Sequence, residues 1–169
     1  MNVFTPLADI DSVRSILSHI SMLGAVPEDK QARLFKRLET AHFKKGDYIF
    51  CKGDEPTHIY MVMSGQVDLQ VTDNDVIVDK VKLGVGESFG EASLMSMHKH
   101  TATAVAMEET EIIVLSRHAL IRLHQQDIEL FALLMMNIAR ELARRLKLTD
   151  DILLHYLHDH KGGPPSGVV

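Results

Sequence analysis

The segment Gly86-Glu87-Ser88-Phe89-Gly90-Glu91-Ala92-Ser93-Leu94 carries two glycines, two hydroxyls and two carboxylates within nine residues. A glycine followed by residues able to enter one helical turn lets successive backbone N–H groups point at one spot. Such a nest, or helix N-terminus, binds phosphate. A carboxylate at Glu91 repels phosphate but accepts a hydrogen bond from a sugar hydroxyl. Gly90 with Glu91 therefore suits a sugar phosphate whose ring hydroxyl is free. The same residues also fit an ordinary turn with a solvated glutamate, and the segment alone does not separate the two.

Two other chemistries have a foothold. Gly86-x-Ser88-x-Gly90 formally fits the nucleophile-elbow pattern of hydrolases, which requires a strand–turn–helix in a large parallel sheet with Asp and His later in the chain. His98-x-His100 can place two imidazoles on one side of a strand, as in a metal-dependent cupin-like enzyme. That pattern wants a glutamate about four residues further on, where Ala104 stands, and Glu108 is too far along. His155, His158 and His160 form a third cluster, of which His155 and His158 lie one helical turn apart.

The elements that position these residues fall into three zones. Over residues 1–40, Leu7, Ile10, Val13, Ile16, Leu17 and Ile20 recur at helical spacing and Gly24 ends that helix. Pro27 opens a second helix whose face carries Leu34, Phe35 and Leu38. Over 41–116, glycines at 46, 53, 65, 84, 86 and 90 separate short apolar runs. Gln66 to Val71 alternates strictly, Asp73-Asn74-Asp75 is a turn, Val81 and Leu83 alternate with Lys80 and Lys82, and Ile112 to Leu115 is another strand. Short strands at regular turn spacing predict an antiparallel roll or barrel. Over 117–160, Arg117 to Gln125 is a short helix, and a pattern without Gly or Pro runs from Asp127 to His158. In it Ala139, Leu142, Leu146, Thr149, Leu153 and Tyr156 follow alternating steps of three and four, a coiled-coil-like seam. Arg140, Arg144, Arg145 and Lys147 read as the solvated face of that helix. Residues 161–169, with Gly162-Gly163-Pro164-Pro165, read as a flexible tail.

Several segments agree in order and spacing with one family. Lys45-Gly46-Asp47-Tyr48-Ile49-Phe50, Gly53-Asp54, Ile59 to Val67 and Phe89-Gly90-Glu91-Ala92-Ser93-Leu94 resemble the cyclic-nucleotide-binding domain of catabolite activators and cyclic-AMP-dependent kinase regulatory subunits. The resemblance spans roughly residues 28–156. It implies an α+β fold: an antiparallel β-roll (a double-stranded β-helix, jelly-roll-like) flanked by N-terminal helices and a long C-terminal helix. It also implies a phosphate-binding cassette over 86–103, in which the Gly90 amide faces a cyclic phosphate and Glu91 takes the ribose 2′-hydroxyl. Ligand contacts are expected at Phe89, Gly90, Glu91, Ala92, Ser93, Lys99, His100 and Thr101. Thr149, after Arg144-Arg145-Leu146-Lys147-Leu148, matches a threonine that contacts adenine in catabolite activators, and it also suits plain helix packing.

The chain departs from the family at one place. The cassette arginine that pairs with the phosphate falls at His100, inside Lys99-His100-Thr101-Ala102-Thr103. Arginine is a permanently charged planar fork, whereas histidine is mostly neutral at pH 7. Losing such a pair costs about 2–5 kcal/mol, roughly 30-fold to several thousand-fold in affinity.

Composition bounds the rest. The chain has 169 residues, 46% of them hydrophobic, and a formal net charge of −5, so no basic nucleic-acid surface is expected. Cys51 is the single cysteine, which excludes an intramolecular disulfide framework and an iron–sulfur cluster within this chain. A cytoplasmic protein without a membrane span follows. Residues 150–169 are too few for a helix-turn-helix domain, so DNA binding by this chain is not expected. The reading is a non-catalytic sensor, with no catalytic or metal residues and no required cofactor, that binds cyclic AMP or a related nucleotide weakly. It forms a homodimer along Leu142, Leu146, Thr149, Leu153 and Tyr156 and signals to a separate effector protein. The alternatives are a ligand-free protein-interaction module on the same fold and the cupin-like enzyme using His98 and His100.

Overall fold

In chain order the elements are β1 (Thr5–Pro6), a 3-10 turn (Ser21–Leu23), α1 (Glu28–Phe35), β2 (Leu38–Phe43), β3 (Tyr48–Phe50), β4 (His58–Ser64) and β5 (Val67–Asp73). They continue with β6 (Val76–Leu83), β7 (Ser88–Phe89), α2 (Glu91–Ser96), β8 (Thr103–Ala106), β9 (Thr110–Ser116), α3 (Arg117–Gln126) and α4 (Ile128–Asp159). This computed structural model describes residues 3–7, 14, 16–17, 19–24, 26–73 and 76–159. The expected flexible tail at 161–169, the turn at Asn74-Asp75 and His160 lie outside the described residues, as do Ile10 and Val13.

The strands form two antiparallel sheets, ordered β1-β2-β9-β4-β7 and β3-β8-β5-β6. This is the expected roll, and the period-2 rule explains how one sequence builds two cores. In β4, Tyr60 and Val62 point into the roll while Ile59, Met61 and Met63 point out to the helices. In β9, Ile112 and Val114 face inward and Ile113 and Leu115 face the helices. Both strands are covered on two faces, so each reads as an unbroken apolar run rather than an alternating one. The outer cluster is completed by Leu34, Phe35, Leu123, Leu130, Leu134 and Ile138 of the helices.

The N-terminal zone departs from the expected pair of helices at Leu7 and at Leu38, while residues 14, 16 and 17 and Glu28–Phe35 are helical. Thr5 and Pro6 pair with Thr40 and Glu39 of β2, and the Leu7 N–H donates to the Leu38 carbonyl. Leu38 opens β2 rather than extending α1. Six ladder pairs with β9, from Leu38↔Leu115 to Phe43↔Thr110, outweigh one further helical turn. Asn137 of α4 fastens this zone: its Nδ2 donates to the Met22 carbonyl at 3.1 Å and the Gly24 carbonyl at 2.7 Å. The Met22 carbonyl is buried and the Gly24 carbonyl part-buried, where an unpaired backbone acceptor is costly.

Candidate functional site

The predicted cassette folds as β7, a glycine corner and a short helix. Ser88 and Phe89 pair with Met61 and Tyr60 of β4. Gly90 then turns the chain at φ +83° and caps α2. A Cβ at Gly90 would lie 2.9 Å from Tyr60 Cδ2 and 3.1 Å from the His58 carbonyl oxygen. Glycine is therefore required here twice over, for the left-handed backbone and for the close approach to β4.

That corner turns Glu91 inward. Its side chain is 1% exposed, which for a carboxylate demands a partner. The partner comes from 54 residues further along the chain. Arg145 of α4 donates from Nη1 to Glu91 Oε1 at 2.7 Å and from Nε to Glu141 Oε1 at 3.0 Å, and Nη2 donates to the Ser88 carbonyl. Glu141, itself buried, also accepts from Ser21 Oγ at 2.8 Å and pairs with Arg144. Arg145 was read from the sequence as part of a solvated face. It is instead half-buried, because α4 crosses the cassette one turn before Thr149. The sequence signal was that four-residue offset from Thr149.

The other predicted residues separate into inner and outer sets. Phe89 is buried and packs with Phe50 and Tyr60, at ring centroid distances of 5.9 and 5.1 Å. Burial pushes the Tyr60 phenol up to about 12, so it stays a neutral hydroxyl. His100 is 3% exposed and stacks on Phe50, with centroids 3.7 Å apart and ring planes 9° from parallel. Its backbone is pinned as well: the His100 N–H donates to the Asp54 carbonyl and its carbonyl accepts from the Gly53 N–H. Burial holds the imidazole below its ordinary pKa, against a smaller opposing effect of Asp54. Phe50 and Tyr60 went unnoticed as site residues because their spacing is that of plain core positions.

The outer set does not converge on Glu91. Ala92 and Thr101 are exposed, and Ser93 is half-buried with its carbonyl accepting from the His98 N–H and Ser96 Oγ. Lys99 is exposed and lies 3.6 Å from Glu55, so it does not take the place of the missing arginine in this conformation. Thr149 is exposed and its Oγ1 donates to the Arg145 carbonyl at 2.9 Å. Ser88 Oγ and Glu91 Oε2 near α4, and His100 Nε2 on the Phe50 side, are buried side-chain atoms with no hydrogen-bond partner.

Neither competing chemistry gains support. Ser88 sits inside a strand of an antiparallel sheet, not on a strand-to-helix elbow of a parallel one. His98 is exposed while His100 is buried, and no group of three or more His, Cys, Asp or Glu side chains gathers among the described residues.

The cyclic nucleotide-binding domain profile matches residues 40–127, more than half of the chain. The protein belongs to the cyclic nucleotide-binding domain family. The cyclic AMP receptor protein of Thermus thermophilus is 35% identical over 128 residues, covering 75% of this chain and 57% of that protein. Human cGMP-dependent protein kinase 2 is 33% identical over 113 residues, covering 66% of this chain and 15% of the kinase. This cyclic nucleotide-binding domain thus spans about half or less of these curated relatives. A crystal structure of a cyclic nucleotide-binding domain from Methylobacillus flagellatus superposes with a TM-score of 0.78 at 22% identity, covering 91% of this chain and 88% of that one. The family's regulatory role is consistent with a sensor, and no helix among the described residues is long and apolar enough to cross a membrane.

Proposed function

We propose that this domain is a non-catalytic sensor in which a nucleotide-class ligand, bound against Gly90, Glu91 and the 99–101 segment, alters the hold of the cassette on α4. The observation that carries this reading is the Glu91–Arg145 ion pair, which joins the residue expected to bind sugar to the helix expected to signal. A ribose hydroxyl donating to Glu91 competes with or remodels that pair. The ligand thereby gains different contacts in two helix orientations, which is the condition for shifting an equilibrium between them. Cyclic AMP or a relative binds weakly, because His100 replaces the charged fork.

The output surface is the distal half of α4. Leu146, Leu153, Tyr156 and Leu157 there are 44–62% exposed, a concentration of apolar surface that monomers seldom leave uncovered. A second copy packing along Leu146, Thr149, Leu153 and Tyr156 accounts for it. Leu142, at the proximal end of the expected seam, packs instead against the core of its own chain. A separate effector protein in the cytoplasm receives the signal.

The test is calorimetric titration of the purified protein with cyclic AMP and cyclic GMP, alongside His100→Arg. Weak binding to the native protein, tightened by the substitution, is expected. No heat from either protein would replace the sensor with a ligand-free interaction module.

A further inference from the structure

A groove of about 350 Å³ lies where α2, α3 and the proximal half of α4 meet. Met95 and Met97 of α2, Ile121 and His124 of α3, and Phe131 and Met135 of α4 line it. Met97 is 78% exposed and Ile121 50%, so the groove presents apolar surface to solvent. Arg117 and His124 give it a basic edge, and no acidic side chain lines it among the described residues. Methionine-rich walls of this kind adapt to the apolar face of a helix.

The distal half of α4 carries such a face. Phe131, Met135, Leu142, Leu146, Leu153 and Leu157 form one stripe at intervals of 4, 7, 4, 7 and 4, so the stripe reads the same from either end. Phe131 and Met135 line the groove, whereas Leu146, Leu153 and Leu157 are exposed. Residues 148–159 hold Asp150, Asp151 and Asp159 and no Lys or Arg, opposite in sign to the groove edge. A stripe unchanged by reversal is self-complementary about a two-fold axis across the helix, the symmetry of an isologous dimer. Laid antiparallel, two copies of α4 bring the partner's Leu153 beside Met135 and the partner's Leu157 beside Phe131. Parallel packing sets groove against groove, two concave surfaces with no ridge to fill them. We infer that a second copy packs antiparallel along α4, seating its distal leucines in the groove between α2 and α3. The partner's helix then touches α2, the helix of the cassette.

The inference rests on the homodimer of the proposed function and fixes its geometry. Cys51, the single cysteine, is exposed and is first removed by Cys51→Ser. Met135→Cys and Leu153→Cys are then made in separate chains of that background. Antiparallel packing puts like positions about 27 Å apart along the axis at the helical rise, beyond disulfide reach. Neither variant alone should form a covalent dimer on mild oxidation, and the two refolded together should. Ala139→Cys with Thr149→Cys, both at exposed positions, repeats the test if the first pair fails to fold. Ile121→Glu, on α3, should raise the dimer dissociation constant about tenfold or more. Leu153→Cys cross-linking to itself, or an unaltered dimer in Ile121→Glu, overturns the inference and leaves the homodimer standing. A native dimer with no cross-link in either mixture overturns it as well. A native protein that is monomeric by light scattering overturns both.

Discussion

Arg145 Nη1 stands 2.7 Å from Glu91 Oε1, an ion pair between residues 54 positions apart in which one partner is 1% exposed and the other 32%. The pair connects the glycine corner of the roll to the helix that leaves it. Under the proposed function, a ligand on Glu91 acts on α4 through this pair.

Removing Arg145 tests that connection. Arg145→Ala leaves the Glu91 carboxylate buried without its cation, at a cost of about 2–3 kcal/mol after allowance for the solvent that reaches the arginine. Glu91→Gln leaves a neutral side chain and costs less. Urea denaturation of both variants should rank them in that order. Hydrogen exchange over 141–159 should accelerate in Arg145→Ala, and unchanged protection would mean that the pair does not hold the helix.

Gly90 and Gly46 separate backbone strain from crowding. Both have positive φ, +83° and +88°, but a Cβ meets Tyr60 and His58 at Gly90 and nothing within 4 Å at Gly46. Gly46→Ala should lose about 1 kcal/mol, from the left-handed backbone alone. Gly90→Ala should lose roughly twice that or more, because β4 backbone cannot move aside cheaply. Equal midpoints for the two variants would show that the cassette corner relaxes freely.

Stability should fall on acidification. Burial lowers the pKa of both His58 and His100, so the folded state binds fewer protons than the unfolded chain near their ordinary pKa of about 6.5. A base with a depressed folded pKa contributes full stability above the unfolded value. That contribution is lost as pH falls below it, since the unfolded chain takes up protons first. Melting temperatures measured from pH 8 to pH 5 should therefore decline below about 6.5. The decline should be shallower in His100→Phe, which keeps an aromatic ring against Phe50. A profile identical to the native one would remove His100 from the account.

The helix surface has its own test. Leu146→Glu and Leu153→Glu place charge where the native residues are 62% and 53% exposed, so neither disturbs the core. If a second copy covers this face, light scattering should report a dimer for the native protein and a monomer for each variant. Dimers that persist in both would place the interface elsewhere.

Much of this was legible from residue order because its physics is local. Alternation and glycine spacing predicted the antiparallel roll, and the helical period predicted α3 and α4 to within a residue or two at the ends. Gly90-Glu91 and the absence of arginine at position 100 were visible as residue types. Leu38 was misplaced because its helical spacing in α1 is also the first rung of the ladder to β9, and the rung exists only once β9 is in place.

What sequence by itself determined is thus the family, the roll and the chemical identity of the cassette, since these depend on patterns within a few residues or one helical turn. Tertiary structure alone decided that Arg145 faces Glu91 rather than solvent, that His100 lies against Phe50, and that Lys99 turns away to Glu55. A helical period states which residues share a face. It does not state what lies opposite, because that depends on the docking of elements more than 50 residues apart.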